Sequence, residues 1–180
     1  MTKVINLFGG PGSGKSTLAS ELFTEMKKMG LDVELVTEYV KSWAWDGKQL
    51  NPYDQLYLLG KQTHNESRLY GKVDYVITDS PIMLCPFYEM HNEKTTMTLQ
   101  AGLAFLDIAK AHGVKFYDFW LHRNKNNYYN QKGRYQTEKE AEAMSFEMFA
   151  FMRQAGLELI ELPEKDPVKI ILERYLCLEK

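Results

Sequence analysis

The chain has few of the features that mark secreted or membrane proteins. Its two cysteines, Cys85 and Cys177, have no CxxC partner or histidine neighbour, so neither a redox motif nor a metal knuckle is available. Cys85 lies in an apolar stretch and Cys177 near the end of the last helical pattern, so both are expected as buried free thiols in a reducing compartment. No apolar run approaches the ~20 residues of a membrane span. The first residues lead directly into a strand-like stretch with no signal-peptide pattern, which points to a cytoplasmic protein without membrane contact. Neither charge sign is in excess: 22 Lys and Arg stand against 24 Asp and Glu, a formal net charge of −2. Indiscriminate nucleic-acid binding is thereby disfavoured, while a local basic patch remains open. Repeats, low-complexity tracts and linkers are missing too. With 180 residues the chain suffices for a single domain with a substantial core.

What is present is an alternation of strand-like and helix-like stretches. KVINLF (3–8) precedes a helical pattern over 15–29 that closes at Gly30, and DVELVT (32–37) precedes a loop and a helix over 53–69. DYVITD (74–79) leads to a loop and a helix over 95–111, and KFYDFWL (115–121) to a polar segment and a helix over 137–154. LELIEL (157–162) leads to the last helix, 167–178. Five such units predict a parallel sheet covered by helices on both faces. Ligands of such sheets bind beyond the carboxyl ends of the strands, so the loops there are the ones to inspect.

The first of these loops is NLFGGPGSGKST, residues 6–17. Its spacing, Gly9-x-x-x-x-Gly14-Lys15-Ser16, is that of a phosphate-binding P-loop, between a strand and a helix as the motif requires. Residues Gly10, Pro11, Gly12, Ser13 and Gly14 would turn successive N–H groups inward as a nest for phosphate oxygens, and Lys15, Ser16 and Thr17 open the helix whose positive end adds to it. Lys15 would reach the β- and γ-phosphates, and the Ser16 hydroxyl would ligate Mg²⁺.

Two carboxylates stand at strand ends. Asp79 closes DYVITD before Ser80-Pro81, the position of the acid that holds Mg²⁺; capping of the next segment is the plainer alternative. Glu38 closes the second strand, where it could accept a hydroxyl proton as phosphoryl transfer begins. Either of the two could be the base. Beyond Glu38, Tyr39, Trp43 and Trp45 cluster in a connection, as core residues or as a wall for a flat heterocycle. Gln55 and Gln62 could read a base edge or be solvated. Between Asp118 and Glu138 the chain has no acid but carries Arg123, Lys125, Lys132 and Arg134 among Tyr128, Tyr129 and Tyr135. A lid with catalytic arginines, Arg123 and Arg134, fits this pattern, as does a contact with a nucleic-acid strand. Thr137 to Glu140 is a capping box. NKNN (124–127) ends in Asn127 where a guanine reader needs a carboxylate, so a GTPase is disfavoured.

Gly9–Thr17, TEY at 37–39, TDSP at 78–81 and the arginine-bearing segment together resemble the P-loop nucleoside and nucleotide kinases along the whole chain. DQLYLLGKQ, VITDSP and KGRYQTEKEA are similar to a phage-encoded branch near the ribosylnicotinamide kinases, which includes kinases of 5-hydroxymethyluracil in DNA. The resemblance implies a P-loop NTPase three-layer α/β/α sandwich with a five-stranded parallel sheet, one kinase domain over 1–180 with a lid at about 122–136. It also implies ATP and Mg²⁺ as cofactors, with the donor base by LPEKDP (162–167), and Glu38 as base. The acceptor it implies is of nucleoside type, most pointedly 5-hydroxymethyluracil in DNA. A free nucleoside such as nicotinamide riboside, or a deoxynucleoside monophosphate, is the alternative; a regulatory ATPase is the other class. Asp79-Ser80-Pro81 lacks the Asp-Arg pair of thymidylate kinases, which speaks against a monophosphate. An oligomeric state is not specified by any of these motifs.

Overall fold

Short runs rich in Val, Ile, Leu and aromatic residues form one parallel sheet in the computed structural model, which describes residues 1–123 and 137–178. The strands are β1 (Lys3–Phe8), β2 (Val33–Val36), β3 (Tyr75–Thr78), β4 (Lys115–Leu121) and β5 (Ile160–Leu162), in the spatial order β2-β3-β1-β4-β5. Pairing is parallel throughout, with Asn6 opposite both Thr78 and Asp118. β1 is central and buried on both faces, as a strand covered on two sides must be. Ile5 and Leu7 pack on α1 (Lys15–Lys28) and on the C-terminal Ile171 and Leu172. Phe8 faces the opposite layer, where Phe87, Leu106, Trp120 and Met148 close a second core. This is the α/β/α sandwich expected.

Several expected boundaries are corrected. The residues after β3 are not simply a loop: Leu84–Glu93 form α4, and Met97–Ala111 form α5. Pro86 hides the start of α4 from a pattern reading, yet proline in a first turn removes an N–H that has no helical partner anyway. Glu89 explains the break between the two helices. Its buried carboxylate accepts from Thr95 Oγ1 (2.6 Å), Met97 N (2.7 Å), Thr98 N (2.6 Å) and the Thr98 hydroxyl. Burial alone would raise its pKa, but these donors hold the carboxyl below its ordinary value. Glu89 therefore caps α5 from the preceding helix. The connection after β2 contains a further short helix, α2 (Lys41–Trp45), and α3 spans Asp54–Ser67. Five residues are too few for periodicity to show.

α6 (Glu138–Gln154) starts on the expected capping box: Thr137 N donates to Glu140 Oε2 at 2.7 Å and Glu140 N to Thr137 Oγ1 at 3.4 Å. β5 is shorter than the apolar run that contains it. The last helix is shorter as well, with α7 (Pro167–Ile170) passing into a π-helical turn, Ile171–Tyr175. Cys177 is exposed, not buried, while Cys85 is partly buried on α4. None of the helices among the described residues is long and apolar enough to cross a membrane.

Candidate active site

The loop after β1 opens into a cleft of about 630 Å³ lined by Pro11, Gly12, Gly14, Lys15, Ser16 and Thr17 at one end. Local sequence explains the loop's shape. Gly14 has φ 93°, a left-handed conformation that glycine adopts without strain. At Gly10 the reason is packing: a Cβ would lie 2.8 Å from Ser145 Cβ of α6. The helix layer thus presses directly on the phosphate loop. Lys15 Nζ is held by the carbonyls of Gly9 (2.7 Å) and Gly10 (3.0 Å), which keeps the ammonium over the loop. The first N–H groups of α1 lack intrahelical acceptors and make this end a site for anions.

Glu38 and Asp79 both line the same cleft. They are linked, because Glu38 N donates to Asp79 Oδ1 at 3.1 Å. Asp79 is buried at the end of β3 and ties the end of β2 to it, thereby fixing where Glu38 leaves the sheet. Ser16 and Asp79 are hard oxygen donors facing one space. That set suits Mg²⁺, which takes one or two protein oxygens and completes its shell with water and phosphate.

The far wall comes from α2, α3 and α4. Gln55 and Gln62 are buried on the cleft side of α3, at 5% and 3% exposure, so the solvated alternative is overturned. Gln62 Nε2 lies 3.4 Å from Thr78 Oγ1, a long contact that keeps the amide oriented along the sheet end. Trp45 lines the cleft yet is 63% exposed, so it is not a core residue. Tyr39 and Trp43 are partly buried beside it, the rings of Trp43 and Tyr57 stacking at 5.7 Å.

From α4 come Cys85, Tyr88 and His91, none of them expected from sequence. His91 Nδ1 lies 2.7 Å from Glu147 Oε2 of α6. Burial pushes the Cys85 thiol up to about 12, and the charge of Glu38 adds to it. The signal that could have found this wall was the apolar spacing of Leu84, Phe87, Tyr88 and His91 across Pro86.

Arg123 sits apart from the cleft lining, its guanidinium donating to the backbone oxygen of Glu138 at 3.1 Å and pairing with the Glu138 carboxylate. It fastens the end of β4 to the start of α6, the two points between which the expected lid runs. Arg134, Lys125, Lys132, the three tyrosines and NKNN lie outside the described residues. On the other side of the loop, Ser13, Gly14 and Thr17 share a smaller hollow of about 230 Å³ with Leu162, Pro163 and Glu164. The loop after β5, the expected place of a donor base, is therefore beside the phosphate end.

A family profile described as "AAA domain" matches residues 4–169. No curated protein matches the sequence. Among solved structures, deoxyadenosine kinase from M. mycoides with the products dCMP and a flexible dCDP bound is similar over 98% of this chain and 100% of its own, with TM-score 0.55 and 14% identity. The same kinase with bound dATP is similar over 97% of both chains, with TM-score 0.53 and 18% identity. At these identities the likeness is one of fold.

Proposed function

Since the chain belongs to the AAA domain family, whose profile spans residues 4–169, we propose that it is an ATP- and Mg²⁺-dependent kinase that phosphorylates a hydroxyl of a nucleoside-type acceptor. One observation carries this reading. Glu38 shares a cleft with the phosphate loop, held by Asp79, while a wall of glutamine and aromatic side chains faces them across a space large enough for a nucleoside. An ATPase that only hydrolyses needs no such wall. The shared fold with a deoxynucleoside kinase supports the same reaction class.

The chain's residues divide the work. The N–H groups of Gly12 to Ser16 hold the phosphates of ATP, and Lys15 follows the γ-phosphate as charge shifts in the transition state. Ser16 and Asp79 would hold Mg²⁺, which when bound neutralises phosphate charge. Glu38 takes the acceptor hydroxyl proton as the oxygen attacks in line. Gln55 and Gln62 present amide donors and acceptors to a base edge. Arg123 and Arg134 would supply positive charge to the transferring phosphate, which requires Arg123 to exchange Glu138 for phosphate.

The narrower reading is 5-hydroxymethyluracil within DNA, supported by the resemblance carried by DQLYLLGKQ, VITDSP and KGRYQTEKEA. A phosphotransfer screen over free nucleosides, deoxynucleoside monophosphates and hydroxymethylated oligonucleotides tests both levels. Acceptor-dependent ADP production is the expected result. ADP release indifferent to every acceptor would instead make the protein a regulatory ATPase, the class also compatible with its family. Phosphorylation of free nucleosides with hydroxymethylated DNA inert would remove only the narrower reading.

A further inference from the structure

The outer rim of the cleft is built unlike its floor. Trp45 of the cleft lining is 63% exposed, and Tyr57, which stacks on Trp43 and meets the hydroxyl of cleft-lining Tyr39, is 46% exposed. α3 turns Gln55, Leu58, Leu59 and Gln62 inward, so Tyr57 falls on its outer side. The rim is cationic as well as aromatic. Lys48 Nζ stands 3.0 Å from the centre of the Trp43 ring, and Lys61 Nζ 5.7 and 6.0 Å from those of Tyr57 and Tyr39. Trp43 and Tyr57 back one another, while Trp45 stands exposed at the mouth of the cleft beside Lys41. Of the acids here, Asp54 is engaged by Lys48 at 3.9 Å and by Asn51 N at 2.9 Å; Asp46 is exposed.

We propose that this rim is a stacking platform for a single strand of DNA, holding the nucleotides that flank the acceptor as it enters the cleft. The inference rests on the kinase reading above and names the form in which the acceptor arrives. Exposed rings stack on bases of any sequence, and lysines beside them meet the phosphates at each step. A protein partner would have to desolvate those ammonium groups, whereas a polyanion uses them. Trp45 belongs to both rim and cleft, so a strand on the rim leads directly to the site of Glu38.

Binding of a labelled oligothymidylate of about 12 nucleotides, measured by fluorescence anisotropy, isolates the platform from the chemistry. Trp45→Ala and Tyr57→Ala should each weaken binding about tenfold, the usual scale for removing a ring that stacks on a base. Lys41→Gln with Lys61→Gln should flatten the salt dependence, by about 0.7 in log–log slope for each phosphate no longer neutralised. Melting temperature and ATP binding of these variants should match the wild type. Wild-type affinity in all variants, or no binding by the wild type at low salt, would overturn the platform. So would loss of self-association on rim substitution with oligonucleotide binding retained, since a second copy would then cover the rim. Phosphotransfer to free nucleosides without oligonucleotide binding overturns the platform and leaves the kinase. Oligonucleotide binding through the rim with no acceptor phosphorylated does the reverse.

Discussion

The two ends of the cleft are made of different material. At the phosphate end the groups proposed to work are backbone N–H groups and one lysine, set by a loop whose geometry follows from nine consecutive residues, Gly9 to Thr17. At the proposed acceptor end they are side chains from the segment after β2 and from α2, α3 and α4, brought together only by the tertiary fold. The first arrangement suits any nucleoside triphosphate, because phosphate is the same in all of them. The second is where a particular acceptor must be chosen. Substitutions at the two ends should therefore fail differently.

The largest effect is expected at the phosphate end. Lys15→Ala removes the charge that follows the γ-phosphate and should abolish phosphoryl transfer to every acceptor, at least ~10³-fold on kcat. Single-turnover kinetics with two unlike acceptors checks it; residual activity that depends on the acceptor would break the division between the ends.

Glu38→Gln comes next. ATP binding should stay nearly intact while kcat falls by ~10²-fold, the usual range for a general base. Asp79→Asn should instead weaken the dependence on Mg²⁺, and it should also disturb Glu38 through the bond to its backbone N–H. A magnesium titration of both variants separates the roles. If Glu38→Gln shifts the metal dependence and Asp79→Asn leaves it alone, the two assignments are exchanged.

The same difference explains what the sequence made legible. Gly9 to Thr17 announces its conformation locally, and the alternation of apolar strands with helical patterns fixes the sheet. Asp79 and Glu38 follow because strand ends are marked by Ser80-Pro81 and by the polar run after Val36. The acceptor wall has no local mark. Gln55 and Gln62 read equally as base-edge readers or as solvated residues on a helix whose outer side carries Leu56 and Tyr57, and only the packing shows which side is inside. α4 was hidden by Pro86, and with it Tyr88 and His91. Arg123 was singled out as a cation of the expected lid, but its pairing with Glu138 joins residues fifteen apart, away from the cleft lining.

A smaller effect should sharpen the acceptor end. Gln62→Leu keeps the volume and removes the amide from a buried position, so an acceptor base would lose a hydrogen-bond partner. A rise of about tenfold in the acceptor KM is expected, on the scale of one buried hydrogen bond. The KM for ATP and kcat should change little. An equal rise in both KM values would mean that Gln62 supports the fold of the whole cleft and does not select the acceptor.

The smallest effect on turnover is expected one helical turn below Gln62, where Glu66 is fully buried. Tyr70 Oη donates to its Oε1, while Oε2 meets no donor among the described residues. Burial, with the charge of Asp118 adding and the Tyr70 bond opposing, raises the carboxyl from 4.5 to about 7. In the unfolded chain it would lose its proton near the lower value. Between the two, the folded protein binds one proton more than the unfolded one, so stability falls as pH rises through this window and levels off above 7. Glu66→Gln removes the titration while keeping an oxygen for Tyr70. Its stability should match that of the wild type near pH 4.5 and exceed it at pH 8 by on the order of 3 kcal/mol. Urea unfolding at the two pH values measures this. Glu66 lies off the cleft, so kcat should be unchanged. Parallel pH profiles for the two proteins would mean that the carboxylate is satisfied in its ionised form, and that the helix carrying the acceptor wall is no less well supported than the phosphate loop.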